Sequence, residues 1–117
     1  MTPAVRRFPV AFRPQAQADL ANIFRTVLHW SQDVATARRF TQRIKDRCDR
    51  IGDAPHAGRP RDDLLEGLRT VAFERSAVIT YRVDRQSVRI LNIFYGGRDV
   101  DGFYLGDTAD EPQEPRR

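Results

Sequence analysis

The spacing of apolar residues changes period along this chain, and each change marks an element. The run Phe8 to Phe12 is short and alternates, which predicts a strand; Pro9 suits an edge position or an early strand residue because it cannot donate to a ladder. From Gln15 to His29 the spacing becomes three and four. Ala16, Leu20, Ile23, Phe24, Val27 and Trp30 then share one face of a helix that Pro14 starts. Ser31-Gln32-Asp33 breaks the pattern, with Ser31 or Asp33 placed to accept an amide hydrogen bond where a second helix begins. That helix carries Val34, Ala37, Phe40, Ile44, Cys48 and Ile51 on one stripe. It ends at Gly52, expected in the left-handed conformation that closes helices. So short a connection predicts an antiparallel helical hairpin.

After a loop from Ala54 to Leu65, with Pro55, Gly58 and Pro60, the period falls to two. Leu68 to Phe73, Val78 to Val83 and Val88 to Tyr95 are β-rich runs separated by Glu74-Arg75-Ser76 and Asp84-Arg85-Gln86-Ser87, which predicts an antiparallel meander. If Val83 faces Val88, then Tyr81 faces Ile90, and Ile79, Tyr81, Val83, Val88, Ile90 and Phe94 share the core side. Thr80, Arg82 and Arg89 take the wetter side, while Leu91 and Ile93 make the last strand apolar on both faces, as in a central strand. The expected core is Leu20, Phe24, Val27, Phe40, Ile44, Ile51, Ile79, Tyr81, Val83 and Ile90. Val100, Phe103, Tyr104 and Leu105 fit a short helical turn against the sheet. Strand, helix, helix and three strands make an α+β two-layer domain over residues 1–106. The segment 107–117 has two prolines and nothing apolar larger than alanine, so it reads as a disordered tail.

A length of 117 residues fits one domain. No apolar run approaches a membrane span and the N-terminus lacks a signal-peptide stretch, so a cytoplasmic protein is expected. The formal charge is +4, and the acids Asp107, Asp110, Glu111 and Glu114 in the tail make the body more basic still. Lys45 is the one lysine; arginine carries the rest of the positive charge and favours planar contacts to carboxylate or phosphate. An acidic partner follows, nucleic acid or protein. Arg39, Arg43, Arg47 and Arg50 line one side of the second helix, interleaved with Asp46 and Asp49.

Chemistry is sparse. Cys48 has no disulfide partner and falls on an apolar stripe, while His29 and His56 have no metal-ligand spacing, so neither metal nor cofactor is expected. Gly96-Gly97 follows a strand but opens no helix of dinucleotide-binding length. The possible reactive residues are Arg69, Tyr81, Tyr95, Arg98 and Tyr104.

Pro55-His56-Ala57-Gly58-Arg59-Pro60-Arg61, Leu64, Gly67-Leu68-Arg69, Ile79-Thr80-Tyr81-Arg82-Val83, Val88-Arg89-Ile90-Leu91 and Gly96-Gly97-Arg98-Asp99, with Ala18-Asp19-Leu20 and Ile23 in the first helix, together resemble the ParE branch of the RelE/ParE toxin superfamily. The similarity runs from about Val10 to Asp99. It implies the same strand, helical hairpin and meander, and a toxin of a type II toxin-antitoxin pair of the kind tied to plasmid stabilization. The implied partner is a small antitoxin, ribbon-helix-helix with an acidic C-terminal segment; the implied target is DNA gyrase, with direct nucleic-acid binding left open. RelE-like relatives instead cut mRNA on the ribosome. Such toxins often carry a histidine before the glycine and two arginines after it, whereas this chain has Tyr95, Gly96, Gly97 and Arg98, and it lacks the lysines of RNA-cutting relatives. The resemblance implies target binding by Arg69 and Arg98. Arg39, Arg43, Arg47, Arg82 and Arg89 are the basic residues expected to meet the antitoxin. We read the chain as a non-enzymatic inhibitor without catalytic residues. The alternatives are a ribosome-dependent endoribonuclease using Arg69, Tyr95 and Arg98, and an inactive antitoxin-binding module.

Overall fold

The computed structural model describes residues 7–106; the expected tail, 107–117, lies outside the described residues. The chain runs β1 (Val10–Phe12), α1 (Pro14–Ser31), α2 (Val34–Ile51), β2 (Arg59–Pro60), β3 (Arg69–Phe73), β4 (Ala77–Asp84), β5 (Ser87–Tyr95) and α3 (Val100–Leu105). The strands form one sheet in the order β1-β5-β4-β3-β2, with β1 parallel to β5 and the other pairs antiparallel. This is the expected α+β fold with one addition. The loop after α2 contributes the two-residue strand β2 at the sheet's edge, where the missing N–H of Pro60 is tolerated.

The helices begin as their sequence dictates. Pro14 opens α1, and Asp33 caps α2 by accepting from the Ala35 amide at 3.3 Å. Gly52 corrects the reading of the second helix end. Its φ of −62° and ψ of −22° are right-handed, so glycine is not needed there for its backbone freedom. It is needed for room: a Cβ would collide with the carbonyl oxygen of Phe8, whose amide donates to Gly52 O at 2.9 Å. The helix end and the approach to β1 are thereby held together.

The main core lies between the helical hairpin and the sheet. Leu20, Ile23, Ile44, Cys48 and Ile51 meet Phe73, Ile79, Tyr81, Val88, Ile90 and Ile93, with Val27, Phe40 and Val83 half-buried around them. The helical stripes are not buried to their ends. Trp30 is 79% exposed and Val34 47%; Trp30 lies beside the turns that leave β3 and β5.

The register of β4 and β5 corrects the placement of Phe94. Val83 does face Val88 and Tyr81 does face Ile90, but Thr80 pairs with Asn92, so Leu91 is an extra residue in a bulge. The bulge shifts the alternation by one. Ile93 and Tyr95 turn toward the helices, and Phe94 moves to the opposite face, edge-on to Phe103 at 5.3 Å and Tyr104 at 6.1 Å. On that face Leu64, Leu68 and Leu91 form a second apolar cluster beneath Val100 and Tyr104 of α3. The Tyr104 hydroxyl donates to Asn92 Oδ1 at 2.8 Å and sits 2.7 Å from the Thr80 hydroxyl, so α3 is tied to the bulge.

Candidate functional site

Two features with possible functional weight sit at opposite ends of the sheet. At the first, Arg69 on β3 and Tyr81 on β4 face each other and reach the loop that follows α2. Tyr81 Oη donates to Pro55 O at 2.8 Å and accepts from the Gly58 amide at 3.0 Å. Arg69 Nη1 donates to His56 O at 2.9 Å and Gly58 O at 2.8 Å. Gly58 is buried against the Tyr81 phenol, where any Cβ would collide with Oη. Burial holds the Tyr81 hydroxyl above its ordinary pKa and so keeps it a neutral donor.

The second feature is a groove of about 550 Å³ between α1 and the end of β5. Its walls include Asn22, Thr26 and Trp30 from α1, Arg75 and Ser76 from the β3–β4 turn, and Tyr95, Gly96, Gly97 and Arg98. The β3–β4 turn is tight, with Glu74 and Arg75 both at positive φ, 46° and 58°, which swings Arg75 to the rim. Trp30 is the chain's single tryptophan. Arg75 and Arg98 are exposed, and among the described residues neither has a hydrogen-bond or ion-pair partner. Tyr95 is half-buried with its ring edge-on to Phe40 at 5.6 Å.

The residues singled out from the sequence distribute unevenly over these features. Tyr95 and Arg98 share the groove, but Arg69 is engaged at the far end of β3, level with Tyr81, whereas Tyr95 is level with Ala77. The five arginines expected to meet an antitoxin divide into two sets. Arg39, Arg43 and Arg47 lie on α2; Arg43 forms a two-pronged pair with Glu74 at 2.9 and 3.0 Å, which lowers the Glu74 pKa, and its guanidinium stands 5.2 Å from the Phe40 ring centre. Arg82 and Arg89 are cross-strand partners and exposed, on the sheet face turned away from the helices. Trp30 and Arg75 escaped the sequence reading: one was assigned to a buried stripe, the other to a turn.

Cys48 is buried and desolvation pushes its thiol up to about 12, so it is an inert core residue. Among the described residues, no group of three His, Cys, Asp or Glu side chains could hold a metal ion, and no helix is long and apolar enough to cross a membrane. Tyr104 is also raised by burial and is occupied with Asn92 and Thr80. The groove offers two guanidiniums for an anion beside an exposed aromatic face.

The fold is shared with two toxin-antitoxin structures. The chromosomal ParDE system from P. aeruginosa aligns at 23% identity with a TM-score of 0.68, over 78% of this chain and 98% of that one. The toxin-antitoxin complex RelBE2 from Mycobacterium tuberculosis aligns at 18% identity and 0.59, over 76% and 98%. No curated protein sequence matches at a significant level. The sequence model described as the ParE toxin of type II toxin-antitoxin system, parDE, matches residues 10–100, from β1 to the start of α3, and the chain therefore belongs to the ParE toxin family.

Proposed function

We propose that this toxin is neutralised by a small cognate antitoxin in the cytoplasm and arrests growth by binding DNA gyrase, not by cutting mRNA. Two solved structures with its fold are toxin-antitoxin systems, which supports an antitoxin partner. The observation that favours binding over RNA cleavage is the separation of Arg69 from Tyr95 and Arg98. Cleavage requires one group to activate the 2′-hydroxyl and another to protonate the leaving oxygen within hydrogen-bond reach of one phosphate. Here Arg69 is tied by two carbonyls at the other end of the sheet. The basic side chains then serve recognition. Arg98, with Arg69 behind the loop it holds, addresses the target; Arg39, Arg43, Arg47, Arg82 and Arg89 meet an acidic antitoxin, which attracts it from a distance and sets its register.

The experiment is gyrase supercoiling with purified toxin, run beside primer extension on translated mRNA. Loss of supercoiling with intact messages is expected. Codon-specific cuts with unaffected supercoiling would sink the gyrase reading and restore the endoribonuclease one. Inactivity in both, with tight antitoxin binding, would mark the chain as an antitoxin-binding module.

A further inference from the structure

Thr80 and Asn92 are buried polar residues at the β5 bulge, 0% and 6% exposed, and the Asn92 amide donates to Thr80 Oγ1 at 3.1 Å. Buried polar side chains are unfavourable unless their atoms are paired. The partners that pair these two come from opposite sides of the sheet. From α1, Asp19 Oδ2 accepts from Asn92 Nδ2 at 3.2 Å; from α3, the Tyr104 hydroxyl donates to Asn92 Oδ1 at 2.8 Å. Each hydroxyl has one proton to give. Because Tyr104 directs its own to Asn92, the 2.7 Å contact between Tyr104 and Thr80 takes the proton of Thr80, leaving the longer 3.3 Å approach of Thr80 Oγ1 to Asn92 O without one. The donors therefore run one way, from Thr80 to Tyr104 to Asn92 to Asp19. They end on the carboxylate that also holds the Ile93 amide at 2.9 Å. Asp19 and Ile93 are walls of the groove beside Trp30, whereas α3 lies on the far side of the sheet.

We propose that α3 is a strap that sets the groove through the sheet: docked, its Tyr104 fixes the Asn92 side chain and with it Asp19 and the Ile93 amide; lifted, it lets that wall of the groove loosen. α3 is built to move as a unit. Six residues are too few for a helix to persist by itself, so α3 is helical when docked and unwound when lifted. Its ties are few. Val100 and Tyr104 rest on Leu64, Leu68 and Leu91, Phe103 meets Phe94 edge-on at 5.3 Å, and Asp101 pairs with Arg61 at 3.0 Å. Phe103 and Leu105 remain 44% and 58% exposed, an apolar handle on the outer side of the strap. Asn92 passes the release on because its amide group is gripped at both ends. Without Tyr104 its oxygen is buried and unpaired, and turning it toward another donor takes Nδ2 away from Asp19. The coupling is reciprocal, so loosening Asp19 also loosens α3. It belongs to this chain alone and does not depend on what the groove binds.

Amide hydrogen exchange in the full chain tests the relay, since Tyr104 reaches the Ile93 amide only through Asn92 and Asp19. Tyr104→Phe removes the hydroxyl and keeps the ring. Ile93 should then exchange about tenfold faster or more, while Val88, whose amide donates to Pro9 O at 2.8 Å on the same edge of β5, should keep its rate. Phe103→Ala removes the contact with Phe94 and leaves every member of the relay in place, so it keeps the test open if Tyr104→Phe fails to fold. It should speed exchange at Ile93 and at the position 103 amide, which donates to Asp99 O, by the same factor, as a single release requires. In urea unfolding, Asp19→Ala and Tyr104→Phe together should lose less stability than the sum of the two single losses. The proposal is overturned by an unchanged Ile93 rate in folded Tyr104→Phe, by equal acceleration at Val88 and Ile93, which is global unfolding, by an Ile93 rate that ignores Phe103→Ala, or by additive losses in the cycle.

Discussion

Arg69 and Tyr81 stand opposite each other on adjacent strands and hold the same four-residue loop by four hydrogen bonds, two from each. Pro55-His56-Ala57-Gly58, Arg69 and Tyr81 come from three separated stretches, and in the fold they are one clamp. Residues on which the resemblance to ParE toxins rests therefore seat the loop between α2 and β2. Arg69 has a structural task whatever else it does.

Removing the Tyr81 hydroxyl should show what the clamp is worth. Tyr81→Phe leaves Pro55 O and the Gly58 amide unpaired and is expected to cost about 1 to 3 kcal/mol in urea unfolding at neutral pH. The folded-state pKa is raised by burial, so the hydroxyl's contribution is fully present below the unfolded value of about 10 and is lost as pH rises through the folded value. The wild type should lose stability steeply in alkali and Tyr81→Phe less steeply. Parallel curves would show that Tyr81 does not carry the alkaline transition.

Asp19 should matter more than an ordinary helix-surface acid. Its carboxylate accepts from the Ile93 amide and from Asn92 Nδ2, filling a place that a strand would otherwise occupy. Asp19→Ala strands a partly buried amide and is expected to cost about 1 to 3 kcal/mol, with faster hydrogen exchange at Ile93. Unchanged exchange there would mean that water replaces the carboxylate without loss.

The helices were legible because a 3.6-residue period needs no partner to be seen, and the strand pairing followed from Val83 facing Val88. Other features left no trace of that kind. β2 is two residues long with a proline in it, too short for any period. The bulge falls in Leu91-Asn92-Ile93, inside a strand apolar on both faces, where a slip of one residue changes no hydrophobic pattern; Asn92 was the one polar residue that could have signalled it. Gly52 looks the same in sequence whether it frees φ or makes room. Trp30 obeyed its stripe but lies where β5 has given way to Gly96 and Gly97, so periodicity predicted a burial that no opposing surface supplies. The groove was illegible for the same reason, since it is made of ends.

The β4–β5 turn should be improvable. Arg85 and Gln86 hold φ of 53° and 63°, the left-handed values of a two-residue hairpin loop, which Asn-Gly adopts with less strain. Replacing the pair by Asn-Gly is expected to add about 0.5 to 2 kcal/mol, read as a higher urea midpoint at unchanged slope. A lower midpoint would show that the native side chains contribute more than the backbone costs.

Ile44 and Trp30 make a paired test of the core. Ile44 is fully buried between the hairpin and the sheet, so Ile44→Ala should cost about 2 to 5 kcal/mol. Trp30→Ala, at 79% exposure, should stay within about 0.5 kcal/mol of wild type. Equal losses would mean that Trp30 is covered in the folded protein in solution.

The two arginines assigned to the target differ in what their loss would mean, and the difference makes the assignment testable. Arg98 is exposed on the groove rim without a partner among the described residues, so Arg98→Ala should fold with unchanged stability. If it also abolishes growth arrest in cells lacking the antitoxin, the side chain acts on the target. Arg69→Ala removes the donor shared by His56 O and Gly58 O, and is expected to cost about 1 to 3 kcal/mol. Its loss of toxicity alone would say nothing about contact. Growth arrest therefore has to be compared with urea unfolding for both variants, and with an Arg69→Lys variant that keeps a positive charge but not the fork. Restored stability and toxicity in Arg69→Lys would assign Arg69 to the clamp, whereas restored stability without toxicity would place its guanidinium on the target. An Arg98→Ala protein that folds normally and still arrests growth fully would remove Arg98 from target binding.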